Sequence, residues 1–260
     1  MPQNRGMDIL YVIGPDSGHE NRELRWSLRS VAKFATGVGR VVVSGYPPDW
    51  LSDEVCKVNV PKLPTEKHKF AHILRQVFNA IDGGWVSGEF LLSSDDHFYT
   101  RPVDVNQTPF WMKRNEIWAP GEERGGYNYR KDMAVTRALL LQGGYPIVMS
   151  NVHANCRLDA KDAPDVKALI ASDKATAAAK EYGYDATLLF QNVRAKRENI
   201  LFVPRVGRDW KCHGYRQEAI ASGQFSISDR AFSDPAFITY MERTFNEPCK
   251  YEKQTEGGAQ

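Results

Sequence analysis

Cysteine is scarce in this sequence. The 260 residues include Cys56, Cys156, Cys212 and Cys249, widely scattered and with no CxxC pair. That argues against a disulfide framework or a clustered zinc site and for reduced thiols. Long apolar runs are missing too: nothing approaches the roughly 18–20 residues of a membrane span. Residues 1–6 are polar and lack the apolar core of a signal peptide. No charge sign dominates, since 34 Lys and Arg stand against 32 Asp and Glu, a formal net charge of +2. A protein whose affinity comes mainly from neutralising phosphates carries a larger excess, although a local basic patch does not need one. A cytoplasmic protein without a membrane span is the expectation.

What is present is an ordinary globular composition, 42% hydrophobic and 25% charged, in a chain long enough to bury a core without disulfides. Length alone leaves one large domain or two small ones open. Residues 8–13 (DILYVI) form a short apolar run ending at Gly14 and Pro15, as a buried strand does before a turn. Leu24, Leu28, Val31 and Ala35 then recur at helical spacing, with Asn21 as N-cap and Gly37 as stop. Strands are expected at residues 40–44, 56–60 and 89–93. A second amphipathic helix is marked by Phe70, Ile73, Leu74, Val77 and Ile81. This order predicts an α/β fold with a mostly parallel sheet flanked by helices.

Ligands of such sheets bind outside the carboxyl ends of the strands. Asp95, Asp96 and His97 follow the strand at 89–93 at such an end, as residues 14–17 follow the first. Paired carboxylates suit a hard cation, Mn²⁺ or Mg²⁺, bound together with substrate phosphates. His97 adds an imidazole as a further metal ligand or proton carrier. The plainer alternative is that Asp-Asp opens a surface turn.

Four segments, read in order, resemble the Stealth family of GT-A-like nucleotide-sugar transferases. Residues 8–16 (DILYVIGPD) are similar to its opening strand and loop. Residues 21–30 (NRELRWSLRS), 48–51 (PDWL) and 90–96 (FLLSSDD) are similar to its long second block. Val152-His153 resembles its third, and residues 225–229 (FSISD) with 245–252 (FNEPCKYE) its closing block. Ile13 and Ser94 depart from the pattern, standing where the family carries Trp and Asn. The resemblance implies a GT-A-like fold over residues 7–252, with a nucleotide-sugar half (7–104) and a helical acceptor half (105–252). Periodicity is lost from Glu247 onward, and residues 253–260 are expected to be a disordered tail. The resemblance also implies that Asp95 and Asp96 hold the metal and diphosphate, beside the His97 ligand that the residues themselves suggest. Asp8, Gly14 and Asp16 would line the nucleotide pocket, Asn21 and Arg25 would lie nearby, and Asp229 would close the site. His153 and Asp96 would be the catalytic residues. The family's reaction moves a sugar-1-phosphate onto a glycan, whereas GT-A relatives move the sugar itself from a UDP-sugar.

Several residues carry two readings. Arg22, Arg25 and Arg29 share a helix face and form either a diphosphate clamp or a solvated stripe. His153 is a general base or a structural histidine, with Asp159 and Asp162 as alternative bases. Residues 121–131 are glycine-rich, aromatic and basic, a mobile acceptor lid or an ordinary connection. A helix is expected at 162–182, capped by Asp162. Arg194, Lys196, Arg197, Arg205, Arg208, Lys211 and Arg216 interleave with aromatic residues, as a polyanion-binding patch or a solvated face. A patch would make DNA a candidate acceptor, since compact phage-encoded GT-A-like enzymes glycosylate hydroxymethylated pyrimidines. A non-catalytic glycan- or nucleic-acid-binding module is the remaining expectation.

Overall fold

Short apolar runs bounded by glycine and proline become strands, and the helical stripes between them cover the sheet they form. The computed structural model of the chain describes residues 6–15, 19–110, 117, 127–149, 155–173, 183–197, 208–210, 223–227 and 229–254. Its first part runs β1 (Met7–Ile13), α1 (Arg22–Phe34), β2 (Ala35–Thr36), β3 (Val38–Gly45), β4 (Val55–Asn59), α2 (Lys69–Asp82) and β5 (Glu89–Ser93). Two short strands follow, β6 (His97–Tyr99) and β7 (Val103–Asp104), and then α3 (Tyr127–Gln142). The remainder is β8 (Cys156–Asp159), α4 (Ala163–Ala171), α5 (Ala186–Ala195), β9 (Arg208–Trp210), β10 (Gln224–Ile227) and α6 (Pro235–Thr244).

The central sheet has the order β4-β3-β1-β5-β8. Its first four strands are parallel, and β8 adds an antiparallel edge. Side chains alternate across it. Leu10, Val42, Phe90 and Leu92 face a core shared with α2, α3, α4 and α5. Ile9, Tyr11, Val41, Val43 and Leu91 face α1 through Leu24, Leu28 and Val31. A third cluster joins Trp26 of α1 to Phe98, Phe225, Phe237 and Phe245, so α1 is packed on two sides. That cluster seats the small sheet β6-β10-β9.

Strands from the two halves expected from the sequence therefore interleave: β8 completes the central sheet beside β5, and β10 pairs with β6. The C-terminal segment also returns to the first half. Leu51 bridges Glu252, Ser52 N–H donates to the Tyr251 carbonyl and Lys253 N–H to that of Trp50. Among the described residues no helix is long and apolar enough to cross a membrane.

Several local expectations are corrected. Asn21 stands at the N-cap position of α1, but its backbone is left-handed (φ 57°) and its side chain makes no capping bond. Asp162 precedes α4 without capping it, because its carboxylate pairs with Arg197 instead. α4 ends at Ala171, and residues 174–182 of the helix expected at 162–182 lie outside the described residues. Residues 127–131, read as part of a loop, open α3; residues 121–126 lie outside the described residues.

Candidate functional site at the β1–β5 crevice

β1 is the strand from which the chain winds in two directions, first to β3 and β4 on one side, then to β5 on the other. Ligands of open α/β sheets sit at such switch points, beyond the carboxyl ends of the two strands. Tyr11 of β1 pairs with Ser93 of β5, so the two strands end nearly level. The loop after β1 leads into α1, and the loop after β5 carries Asp95, Asp96 and His97. Gln76 of α2 finishes the end of β1: its Oε1 accepts from Ile13 N–H at 3.1 Å and its Nε2 donates to the Ile13 carbonyl at 3.4 Å. Gly14, next along, is exposed, and a Cβ there would meet nothing within 4 Å.

The Asp95–His97 turn is held from behind by α1. Ser27 Oγ, fully buried, donates to the His97 carbonyl at 2.5 Å and lies 3.0 Å from Tyr11 Oη. Ser30 Oγ accepts from Tyr99 N–H at 3.1 Å. Ile227 N–H donates to the Asp96 carbonyl. Fixed this way, the turn presents two carboxylates and an imidazole together. His97 Nε2 is 3.6 Å from Asp96 Oδ1, and His97 Nδ1 is 3.3 Å from Asn155 Oδ1. Burial, and then the neighbouring Asp96 charge, push the Asp95 carboxyl up to about 6.

The donor chemistry fits a hard divalent cation. Two adjacent carboxylates, one raised by burial and by the other's charge, form an environment that positive charge relieves. Among the described residues no group of three His, Cys, Asp or Glu side chains is arranged to hold a metal alone. Mg²⁺-type sites need not have one, because one or two carboxylates plus substrate phosphates suffice.

Of the other expected site residues, Asn21 stands at the start of α1, where its Oδ1 is buried with no hydrogen-bond partner. Asp8 lies at the opposite end of β1. It pairs with Phe90, five residues before Asp95, which separates them by about 16 Å at about 3.3 Å per residue. There it binds Arg40 at 2.8 Å and lines a cleft of about 290 Å³ with Glu89 and Arg157. Asp8 therefore lies away from the Asp95–His97 turn. Arg25 is committed elsewhere too, donating to Glu252 at 2.7 Å and stacking over Trp50. The alternative bases also fall away. Asp159 is opposite Glu89 at the amino end of β5 and binds Arg194, while Asp162 binds Arg197. Asp229 opens a short 3-10 helix; its side chain, Asp16 and His153 lie outside the described residues.

The basic cluster loses two members. Arg194 is buried, paired with Glu89 and Asp159, and sits 3.7 Å above the Phe110 ring. Arg197 binds Asp162 and Asp165. Arg205, Lys211 and Arg216 lie outside the described residues.

Sequence reasoning passed over a second acidic pair. Asp132 of α3 and Asp185, the N-cap of α5, are both buried. α5 runs antiparallel to β5, because its last turn reaches Glu89 through Arg194. Asp185 therefore lies toward the carboxyl end of the sheet. Burial, then the Asp185 charge, raise the Asp132 carboxyl to about 7, and Asp132 Oδ1 has no hydrogen-bond partner. A lone Asp within a helix carries no sequence signal of such a pairing. Asn155 and Tyr99 also escaped notice, because only the folded chain brings them to His97.

No model of a known protein family matches the chain, and a comparison with curated proteins finds no match.

Proposed function

We propose that the chain is a metal-dependent transferase of GT-A type that moves a sugar from a nucleotide-sugar, UDP-linked in the first instance, onto an acceptor hydroxyl. One observation carries this reading. At the crevice between β1 and β5, one loop leads to a helix N-terminus, suited to phosphate, and its neighbour carries a carboxylate pair, suited to a hard cation. A nucleoside diphosphate engages both.

Asp95 and Asp96, with His97 beside them, are the residues that would hold Mn²⁺ or Mg²⁺. When bound, the cation would neutralise charge growing on the departing diphosphate. The backbone N–H groups of the first turn of α1 and the Asn21 side chain are assigned to orienting the phosphates. The acceptor hydroxyl attacks the anomeric carbon as the bond to the diphosphate oxygen breaks, and its proton passes to a base. His153 keeps that role by resemblance; Asp159 and Asp162 do not, being ion-paired at the far end of the sheet. With Arg194 and Arg197 engaged internally, support for a DNA acceptor weakens and a glycan hydroxyl is favoured.

The test is turnover of UDP-sugars with Mn²⁺, followed by nucleotide analysis. UDP release that is abolished by a chelator is the expected outcome. UMP release would assign sugar-1-phosphate transfer instead. No release from any donor, with acceptor binding intact in Asp95→Ala and Asp96→Ala, would identify a binding module.

A further inference from the structure

We propose that Asn155 is a positioning residue that decides which ring nitrogen of His97 is turned to the cation site, a role that rests on the nucleotide-sugar reading of that site. Asn155 immediately precedes β8 and is 3% exposed. Its amide bridges two groups: Nδ2 donates to Tyr99 Oη at 2.6 Å, and Oδ1 lies 3.3 Å from His97 Nδ1. An amide oxygen can only accept, so the hydrogen in that contact belongs to His97 Nδ1. A neutral imidazole has one N–H, which makes Nε2 the unprotonated nitrogen.

Nε2 is the nitrogen turned toward Asp96, 3.6 Å from Oδ1. That separation exceeds a direct hydrogen bond. It approaches the roughly 3.0–3.5 Å expected between two ligands of one ion when each bond is about 2.1 Å. A carboxylate oxygen and an imidazole lone pair directed at each other repel unless positive charge lies between them. Asn155 therefore acts on the cation through His97, as outer-shell partners of metal-bound histidines do. The amide stands with Nδ2 toward Tyr99, whose hydroxyl can accept or donate. The reversed amide, with Nδ2 toward His97, would instead require a bare Nδ1 and a hydrogen on Nε2.

The experiment is long-range ¹H–¹⁵N spectroscopy of the metal-free, ¹⁵N-histidine-labelled chain at a pH where the imidazole is neutral. His97 is assigned by the signals missing from His97→Gln. The expected result is hydrogen on Nδ1, although free histidine in water prefers Nε2. Hydrogen on Nε2 overturns the proposal without any variant. Calorimetry of Mn²⁺ in the presence of UDP gives the second readout. Asn155→Leu is expected to bind about 10–100-fold more weakly, while Asn155→Asp, which keeps an acceptor oxygen, retains most of the affinity. Wild-type affinity in Asn155→Leu overturns the proposed role. A wild-type chain with hydrogen on Nδ1 that binds no Mn²⁺ with UDP overturns the nucleotide-sugar reading and leaves the control of His97 by Asn155 standing.

Discussion

Asp132 is a carboxylate that the fold stabilises best when it is protonated. It is 2% exposed and faces Asp185, whose own carboxyl burial also pushes up; Lys69 offsets part of the repulsion. A carboxyl raised from about 3.9 in the unfolded chain to about 7 in the fold contributes stability that is complete below the unfolded value. That contribution is lost as pH rises through about 7. In Asp132→Asn the side chain carries no charge to repel Asp185 and no longer titrates. The variant is therefore expected to exceed wild type in stability by about 2 kcal/mol or more near pH 8, with the gap clearly smaller at pH 5 and closing only toward pH 4, in urea unfolding across this range. A gap that does not change with pH would refute this account of the pair. The Asp95–His97 turn was legible because an acidic pair after an apolar run marks a strand end. Asp132 was not, because its partner is distant in sequence and its burial is a property of the packed helices.

Among the elements, α1 differs most from its reading in sequence. The periodicity of Leu24, Leu28 and Val31 located its buried face, but the arginine face admitted a phosphate clamp or a solvated stripe; in the fold Arg22 is exposed, while Arg25 and Arg29 bind Glu252. Arg29 binds both carboxylate oxygens of Glu252, at 2.6 and 2.8 Å, and donates to the Phe245 carbonyl; Arg25 adds one bond to Glu252. Burial pulls the Glu252 carboxyl up, and the hydrogen bonds from Arg29 and its neighbours more than reverse this. Because Glu252 is buried, removing its main partner leaves its charge only partly compensated, by Arg25 and the Cys249 N–H. Arg29→Ala is expected to lower unfolding free energy by about 3 kcal/mol. Arg25 is one-third exposed (33%) and partly screened, so Arg25→Ala is expected to cost about 1 kcal/mol or less. Equal losses from the two variants would contradict the assignment of Arg29 as the main clamp. β8 and α3 were illegible for local reasons. Cys-Arg-Leu-Asp is too short and polar to read as a strand, and α3 begins in Tyr, Asn, Arg and Lys directly after two glycines.

For the molecule as a whole, the deciding property is strand order. The apolar runs of β1, β3, β4 and β5 can be read from the sequence because each is short and bounded by turn residues. Their order cannot, because it depends on which edge of β1 the chain returns to. Placing β5 against β1, opposite β3, brings the Asp95–His97 turn and the start of α1 to one crevice. The same geometry sets Asp8 apart, because it lies near the start of β1, at the other end of the sheet from Gly14. The central claim is that this crevice binds a nucleoside diphosphate through a cation held by Asp95 and Asp96. Calorimetry of UDP with and without Mn²⁺, on wild type and on the Asp95→Ala/Asp96→Ala double variant, tests it most directly. Binding that requires Mn²⁺ in the wild type and disappears in a folded double variant is the predicted result; equal UDP binding by both proteins, or none by the wild type with Mn²⁺ present, would contradict it.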